Sequence, residues 1–263
     1  MDWRKTKTIF IFTFLILNIF LGYHLVEKRE SSQLDIITEA SIEEKFEVDE
    51  IIIGDIPKES VSASFLGGIS RPFSEEDIEI LEELGQEAIV IDSTHLFSMF
   101  EEPIELTETN LEARLLQILT EHVLLGDQYD LWAIEEEASS ITFFQKYDNK
   151  FIYRNVGGMV VFNLNEDNHI VSYDQTFIDN IEPMDEPQDT ITAIKALENL
   201  YYNSELKPSS SITDVELGYY PIVELPNSHI LTPTWFIEIN GEQDFFVNAF
   251  EGQVIKRENR KLE

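Results

Sequence analysis

TIFIFTFLILNIFLGYHLV, residues Thr8 to Val26, holds no Asp, Glu, Lys or Arg. At 19 residues it is long enough to cross the hydrocarbon core of a bilayer as a helix. Arg4, Lys5 and Lys7 stand just before it, and cationic residues beside a span favour the cytoplasmic side. The expected topology is a single pass through the cell membrane, with residues 1–7 as a cytoplasmic tip and everything after the span extracytoplasmic. A cleaved signal peptide has a shorter apolar core ending at small residues. Here the end reads Leu21-Gly22-Tyr23-His24-Leu25-Val26 and only Gly22 is small, so the run is expected to stay as an anchor. A core helix so uniformly apolar, with no polar face, would be unusual.

Within that run Asn18 lies near the middle, and Gly22 follows one turn later on the same face. An amide in hydrocarbon needs a partner, and a glycine lets a second backbone approach. Ile11, Phe14, Leu15 and Leu25 extend the face. These six residues are the candidate helix-contact site.

The remaining chain is long enough for one large or two small domains. Hydrophobic residues are 43% and aromatics 11% of the 263, enough for a packed core and too many for general disorder. The formal net charge is −33, which argues against nucleic acid or anionic headgroups as partners, since both need basic patches. There is no cysteine, which excludes disulfides, thiolate catalysis and Cys-ligated metal.

Residues 27–45 read as a polar stalk. Phe46, Val48 and Ile51 to Ile53 suggest a strand, and Val61 to Ser70 a second. Ser74, with acidic residues following and Gly85 as the stop, marks a helix. Ala88 to Ile91 reads as a buried strand, and Leu96 to Phe100 as another before Pro103. Thr109 and Glu112 form a capping-box pattern ahead of the amphipathic run Leu111, Leu115, Ile118, Leu119, His122. From Ser140 the pattern becomes strands with short turns at Asp148-Asn149 and Asn165 to Asn168. Asp185-Glu186-Pro187 is expected to open a helix with Ile191, Ile194, Leu197, Leu200 and Tyr201 on its apolar face. Ile212 to Leu225 returns to strand, and Asn240-Gly241 between apolar runs is a strong hairpin signal. The expected fold is α+β: the membrane helix (8–26), the stalk (27–45) and two small domains with antiparallel sheets, 46–135 and 136–263.

Motifs that would carry chemistry are scarce. Ser93 has no glycine-flanked elbow, and Asp92, Ser93 and His95 are too close along one strand end for a triad. His122 lacks the spacing of a zinc helix. Asn163, Asn165 and Asp167 imitate a calcium loop but miss the glycine at its sixth position and the glutamate at its twelfth. No phosphate or dinucleotide fingerprint occurs. No catalytic, metal or cofactor residue is therefore expected. A wall-polymer hydrolase, which would need convergent carboxylates or a metal, and an extracytoplasmic ligand sensor, which would need an apolar pocket, are the alternative classes.

The opening residues Asp2, Trp3, Lys5, Lys7, Ile9, Phe10, Asn18, Phe20 and Leu21, with Leu231-Thr232-Pro233-Thr234-Trp235 and Val247 to Gly252 near the far end, resemble the YycI (WalI) family. That family comprises accessory membrane proteins of the WalK/WalR (YycG/YycF) two-component system of Gram-positive bacteria. The resemblance implies a non-enzyme without cofactor: one membrane helix and a pair of extracytoplasmic α+β domains. It further implies action with a YycH-like single-span protein on a WalK-like sensor histidine kinase that controls cell-wall metabolism, chiefly through membrane-helix contacts.

Overall fold

A computed structural model describes residues 7, 11–21, 42–106, 110–135, 138–225 and 227–255. The chain divides into two units, one made of residues up to 52 with 207–211, the other of residues 53–206 with the chain from 212 onward.

In the first unit residues 11–21 are helical. They are the middle of the run expected to span; its two ends, residues 8–10 and 22–26, lie outside the described residues. Among the described residues no helix is long and apolar enough to cross a membrane. Most of the expected stalk also lies outside them. Residues 42–48 form a helix where the sequence suggested a strand from Phe46. Ile42 and Phe46 are one turn apart and both buried, so the four-residue spacing outweighs the β-branched run that follows. The helix ends as the Ile51 amide donates to the Phe46 carbonyl at 2.8 Å, and the Ile52 amide donates to the Ser210 carbonyl at 2.9 Å.

The second unit begins its first sheet with β1 (Leu66–Ser70). Helix α1 (Glu75–Glu83) starts where the sequence placed it. Ser74 Oγ accepts from the Asp77 amide, and Asp77 Oδ2 accepts from the Ser74 amide at 2.8 Å, a reciprocal cap. Arg71 holds the other carboxylate oxygen at 2.7 Å. Burial raises the Asp77 pKa, but the hydrogen bonds from Ser74 and Arg71 outweigh it and hold the group below its ordinary value. Gly85, at φ +74°, turns the chain into β2 (Gln86–Val90). This strand was expected to be buried. It is instead the edge of a sheet, and Ile89 is 58% exposed. Strand β3 (Leu96–Glu105) runs through Pro103.

Helix α2 (Leu111–His122) buries Leu115, Ile118 and Leu119. Its N-cap is Asn110, in the left-handed region and without a side-chain cap bond; Thr109 of the expected capping box lies outside the described residues. Strands β4 (Tyr129–Glu135), β5 (Ser140–Tyr147), β6 (Met159–Leu164), β7 (His169–Gln175) and β8 (Ile178–Pro183) follow. No helix opens at Asp185. The Asp185 carboxylate accepts from the Phe65 amide at 3.0 Å. The Thr190 amide and hydroxyl both donate to the Val61 carbonyl, and Gln188–Asp189 pairs with Ser62–Ala63. These long-range bonds take the backbone that the helix would have used. Helix α3 (Ala193–Tyr202) starts later, at a Thr192 cap. Strands β9 (Ser211–Leu225), β10 (Ser228–Ile239), β11 (Gln243–Asn248) and β12 (Val254–Ile255) complete the chain. Asn240 and Gly241, at φ +59° and +69°, make the expected tight turn between β10 and β11.

One sheet runs β9-β10-β11-β12, with β1 beside the first residues of β10 and β8 beside β1. The other runs β2-β3-β7-β6-β5-β4. The labelled pairings are antiparallel. One face of the second sheet supplies Leu96, Phe100, Ile141, Phe143, Val160, Phe162, Ile170 and Tyr173 to a core closed by Leu81 of α1 and Leu115, Ile118 and Leu119 of α2. Trp235 of β10 is fully buried, and its Nε1 donates to the Ile191 carbonyl at 2.9 Å, just before α3. Both sheets take strands from either side of residue 135. The division expected there is not a division between sheets.

Candidate functional site

The helical residues 11–21 are IFTFLILNIFL, of which only Thr13 and Asn18 are polar, and each is exposed. Ile11 is 65% and Phe14 64% exposed. Leaving such a side chain in water forgoes about 1.5–3 kcal/mol. The exposure is repeated on every side of the helix. Ile11, Phe14, Leu15 and Asn18, with Ile19, line one side of it. Four of the six expected contact residues are thus together. Gly22 and Leu25 lie outside the described residues.

Among the described residues of the second unit, three polar constellations bear on chemistry. His95 Nε2 meets Asp174 Oδ1 at 2.9 Å, and the Asn163 amide reaches both Asp174 Oδ2 and Ser172 Oγ. The histidine therefore pairs with a residue on β7 rather than with the nearby Asp92. His229, largely buried, meets Ser70 Oγ at 2.9 Å through Nε2. The Gly157 and Gly158 amides beside it are already committed to Asn155, so neither can serve this pair as an oxyanion donor.

The third is a cleft of about 500 Å³ lined by residues 55–57, 149–150 and 214–217. Asp214 lies opposite Glu238, which lies opposite Asp244; Glu216 lies opposite Phe236 and then Phe246. Asp214 and Glu216 face water on one side. Partial burial raises both pKa values, with Glu238 adding to the shift at Asp214 and Asp214 adding to that at Glu216. Behind them Tyr153 is fully buried against Phe236 and Phe246, its ring 5.4 Å from each. Burial pushes its phenol pKa up, with Glu216 and Asp214 adding to the shift. Among the described residues its hydroxyl has no hydrogen-bond partner. Sequence patterning did not find this cluster, because its members meet through long-range contacts: cross-strand register for Glu238, and the bond from the Tyr153 amide to the Tyr219 carbonyl. Among the described residues no three His, Asp or Glu side chains are grouped to hold a metal ion. Asn165, part of the calcium-loop imitation, accepts from the Asp167 and His169 amides, the arrangement of a hydrogen-bonded turn.

What these features define is an α+β protein with an exposed apolar N-terminal helix. The family model described as YycI protein matches residues 16–250, and the chain belongs to the YycI family. That family is regulatory and accessory, not enzymatic. No curated protein matches the chain. Among solved structures, a protein from Eubacterium rectale is similar at 10% identity and TM-score 0.46, over 79% of this chain and 89% of that one. YycH from Bacillus subtilis is similar at 11% identity and TM-score 0.46, over 75% of this chain and 54% of that one. The C-terminal domain of YpeB from Bacillus megaterium is similar at 13% identity and TM-score 0.42, over 71% of this chain and 97% of that one.

Proposed function

We propose that the chain is a non-enzymatic, membrane-anchored regulator of a WalK-like sensor histidine kinase, acting together with a YycH-like single-span protein. The observation that carries this reading is the family match over residues 16–250. The uncharged run Thr8 to Val26 supports a single span with the N-terminus in the cytoplasm and the α+β part outside, and the exposed apolar helix at 11–21 agrees with it. The face of Ile11, Phe14, Leu15, Asn18, Gly22 and Leu25 is the contact to neighbouring helices: Asn18 hydrogen-bonds across, and Gly22 allows close approach.

The test is co-purification of the full-length chain from membranes with the kinase and the YycH-like protein, at matched expression. Gly22→Leu weakens association most. Asn18→Leu weakens it by about 0.6–2 kcal/mol, and Phe12→Leu, on another face, leaves it intact. Equal loss from all three would sink the specific face; a mature chain beginning after residue 26 would sink the anchor.

A further inference from the structure

Strand β2 (Gln86–Val90) is an end strand of its sheet, paired with β3 on one side. The Ile91 amide donates to the His95 carbonyl, and the Glu101 amide to the Gly85 carbonyl. Antiparallel pairing alternates, so the odd-numbered residues Glu87 and Ile89 spend their backbone groups on β3. Gln86, Ala88 and Val90 turn theirs to the open side.

Natural edge strands are blunted by lysine, proline, bulges or brevity. The other end strands are blunted in these ways, β9 by Pro221 and two bulges. β4 is bulged between Leu131 and Ala133, β8 is bulged and ends in Pro183, and β12 has two residues. β2 holds no Lys, Pro or Gly, and its register with β3 runs unbroken from Gln86 to Val90. Its outer face carries Ile89 and is continued by Ile91, both 58% exposed, with Met99 of β3 beside them at 44%. The surroundings are acidic throughout: from Arg71 to Arg114 the sequence has no Lys or Arg between. Helix α1, which leads into β2 and packs on it, exposes Glu79, Glu82 and Glu83.

We propose that β2 is a docking edge for an extended basic segment of a partner protein. The segment adds as a strand through the outward-facing backbone groups of Ala88 and Val90. Its apolar residues lie over Ile89 and Ile91, and alternate Lys or Arg residues answer the acidic rim. Strand addition takes affinity from the main chain and specificity from alternate side chains. A second copy of this chain is the wrong occupant, because it would bring the same acidic run against itself. The inference stands on the sheet edge and is independent of the membrane helix.

The test uses the full-length chain in detergent and a short fluorescent peptide alternating Val and Lys. A block peptide of the same composition and a Val–Glu peptide serve as controls. The alternating Val–Lys peptide binds, and the block peptide binds at least about tenfold more weakly, because charge alone does not provide register. Hydrogen exchange at the Ala88 and Val90 amides slows on binding, while exchange at Glu87 and Ile89 does not change. Ala88→Pro deletes one outward amide, at a position where an edge strand tolerates proline, and lowers affinity about tenfold. Ile89→Lys, at an exposed side chain, lowers it as well, and this keeps the test decisive should the proline variant unfold. Equal binding of the block peptide, no binding of the alternating one, or wild-type affinity in Ile89→Lys would overturn the proposal. So would a dimer of the free chain that Ile89→Lys dissolves, since that would give the edge to a second copy.

Discussion

Gly218 of β9 is a position where one added methyl group meets the locked aromatic cluster directly. A Cβ there would lie 2.4 Å from Tyr153 Cε2 and 2.6 Å from the Phe151 carbonyl oxygen. Neither neighbour can retreat. The Tyr153 ring is fully buried between Phe236 and Phe246, and the Tyr153 amide is tied to the Tyr219 carbonyl at 2.8 Å. Overpacking of a closed core costs about 1–3 kcal/mol, and two contacts this short put Gly218→Ala at the top, about 3 kcal/mol. For a chain of this size that lowers Tm by about 6–12 °C. Gly241→Ala is the control. Nothing lies within 4 Å of its Cβ, but its φ is +69°, so it costs about 1 kcal/mol through the left-handed backbone and about 2–4 °C. Thermal melts of both variants, followed by far-ultraviolet circular dichroism in the same detergent, decide the matter. A Gly218→Ala melt within about 2 °C of wild type, or one above that of Gly241→Ala, would refute the account of a locked aromatic cluster.

Three further outcomes are expected. Tyr153→Phe removes a buried hydroxyl that has no partner among the described residues, so it leaves stability unchanged or raises it by up to about 1 kcal/mol; a loss of that size in denaturant titration would mean the hydroxyl is satisfied. Asp77→Asn weakens the α1 cap and costs about 1–2 kcal/mol near neutral pH. The folded-state pKa of Asp77 lies below 3.8, so its contribution is complete above that value and disappears as pH falls through the folded one; urea titrations of wild type and variant should converge in acid, and a gap that widens there would contradict this. Thr192→Ala removes the side chain that caps Lys195 at the start of α3 and costs about 1 kcal/mol, against no change if water replaces the cap.

Signals that are local in the chain were legible from sequence. Ser74 and Asp77 sit three residues apart and cap each other, and Asn240-Gly241 contains its own turn geometry. The spacing of Ile11, Phe14, Leu15 and Asn18 places them on one side of a helix by arithmetic alone. The Asp185-Glu186-Pro187 helix failed because bonds to residues more than a hundred positions earlier, such as that between Thr190 and Val61, overrode a local preference. The run Ala88 to Ile91 looked buried because an apolar run has the same appearance in a central strand and at an edge; only the neighbour list distinguishes them. The approach of Tyr153 to the strand of Asp214 and Glu216 was invisible for the same reason, since a turn more than sixty positions earlier is tied to that strand through the Tyr153 amide and the Tyr219 carbonyl. The expected division near residue 135 came from a change in local pattern, which does not reveal which strands pair.

The placement of β1 beside β10 sets a schedule for folding. Ser70 and His229 are in contact across 159 positions. At about 5–20 residues per second of synthesis, β1 waits roughly 8–30 s for that neighbour to exist. Until then its earlier pairing partner is β8 alone, and the sheet that will cover it is half made. Such long-range pairing slows folding. It also means that a chain cut before Ser228 loses the centre of one sheet rather than a separable tail. Dissection into independently folding fragments would have to keep the stretch from Leu66 to Ile255 in one piece.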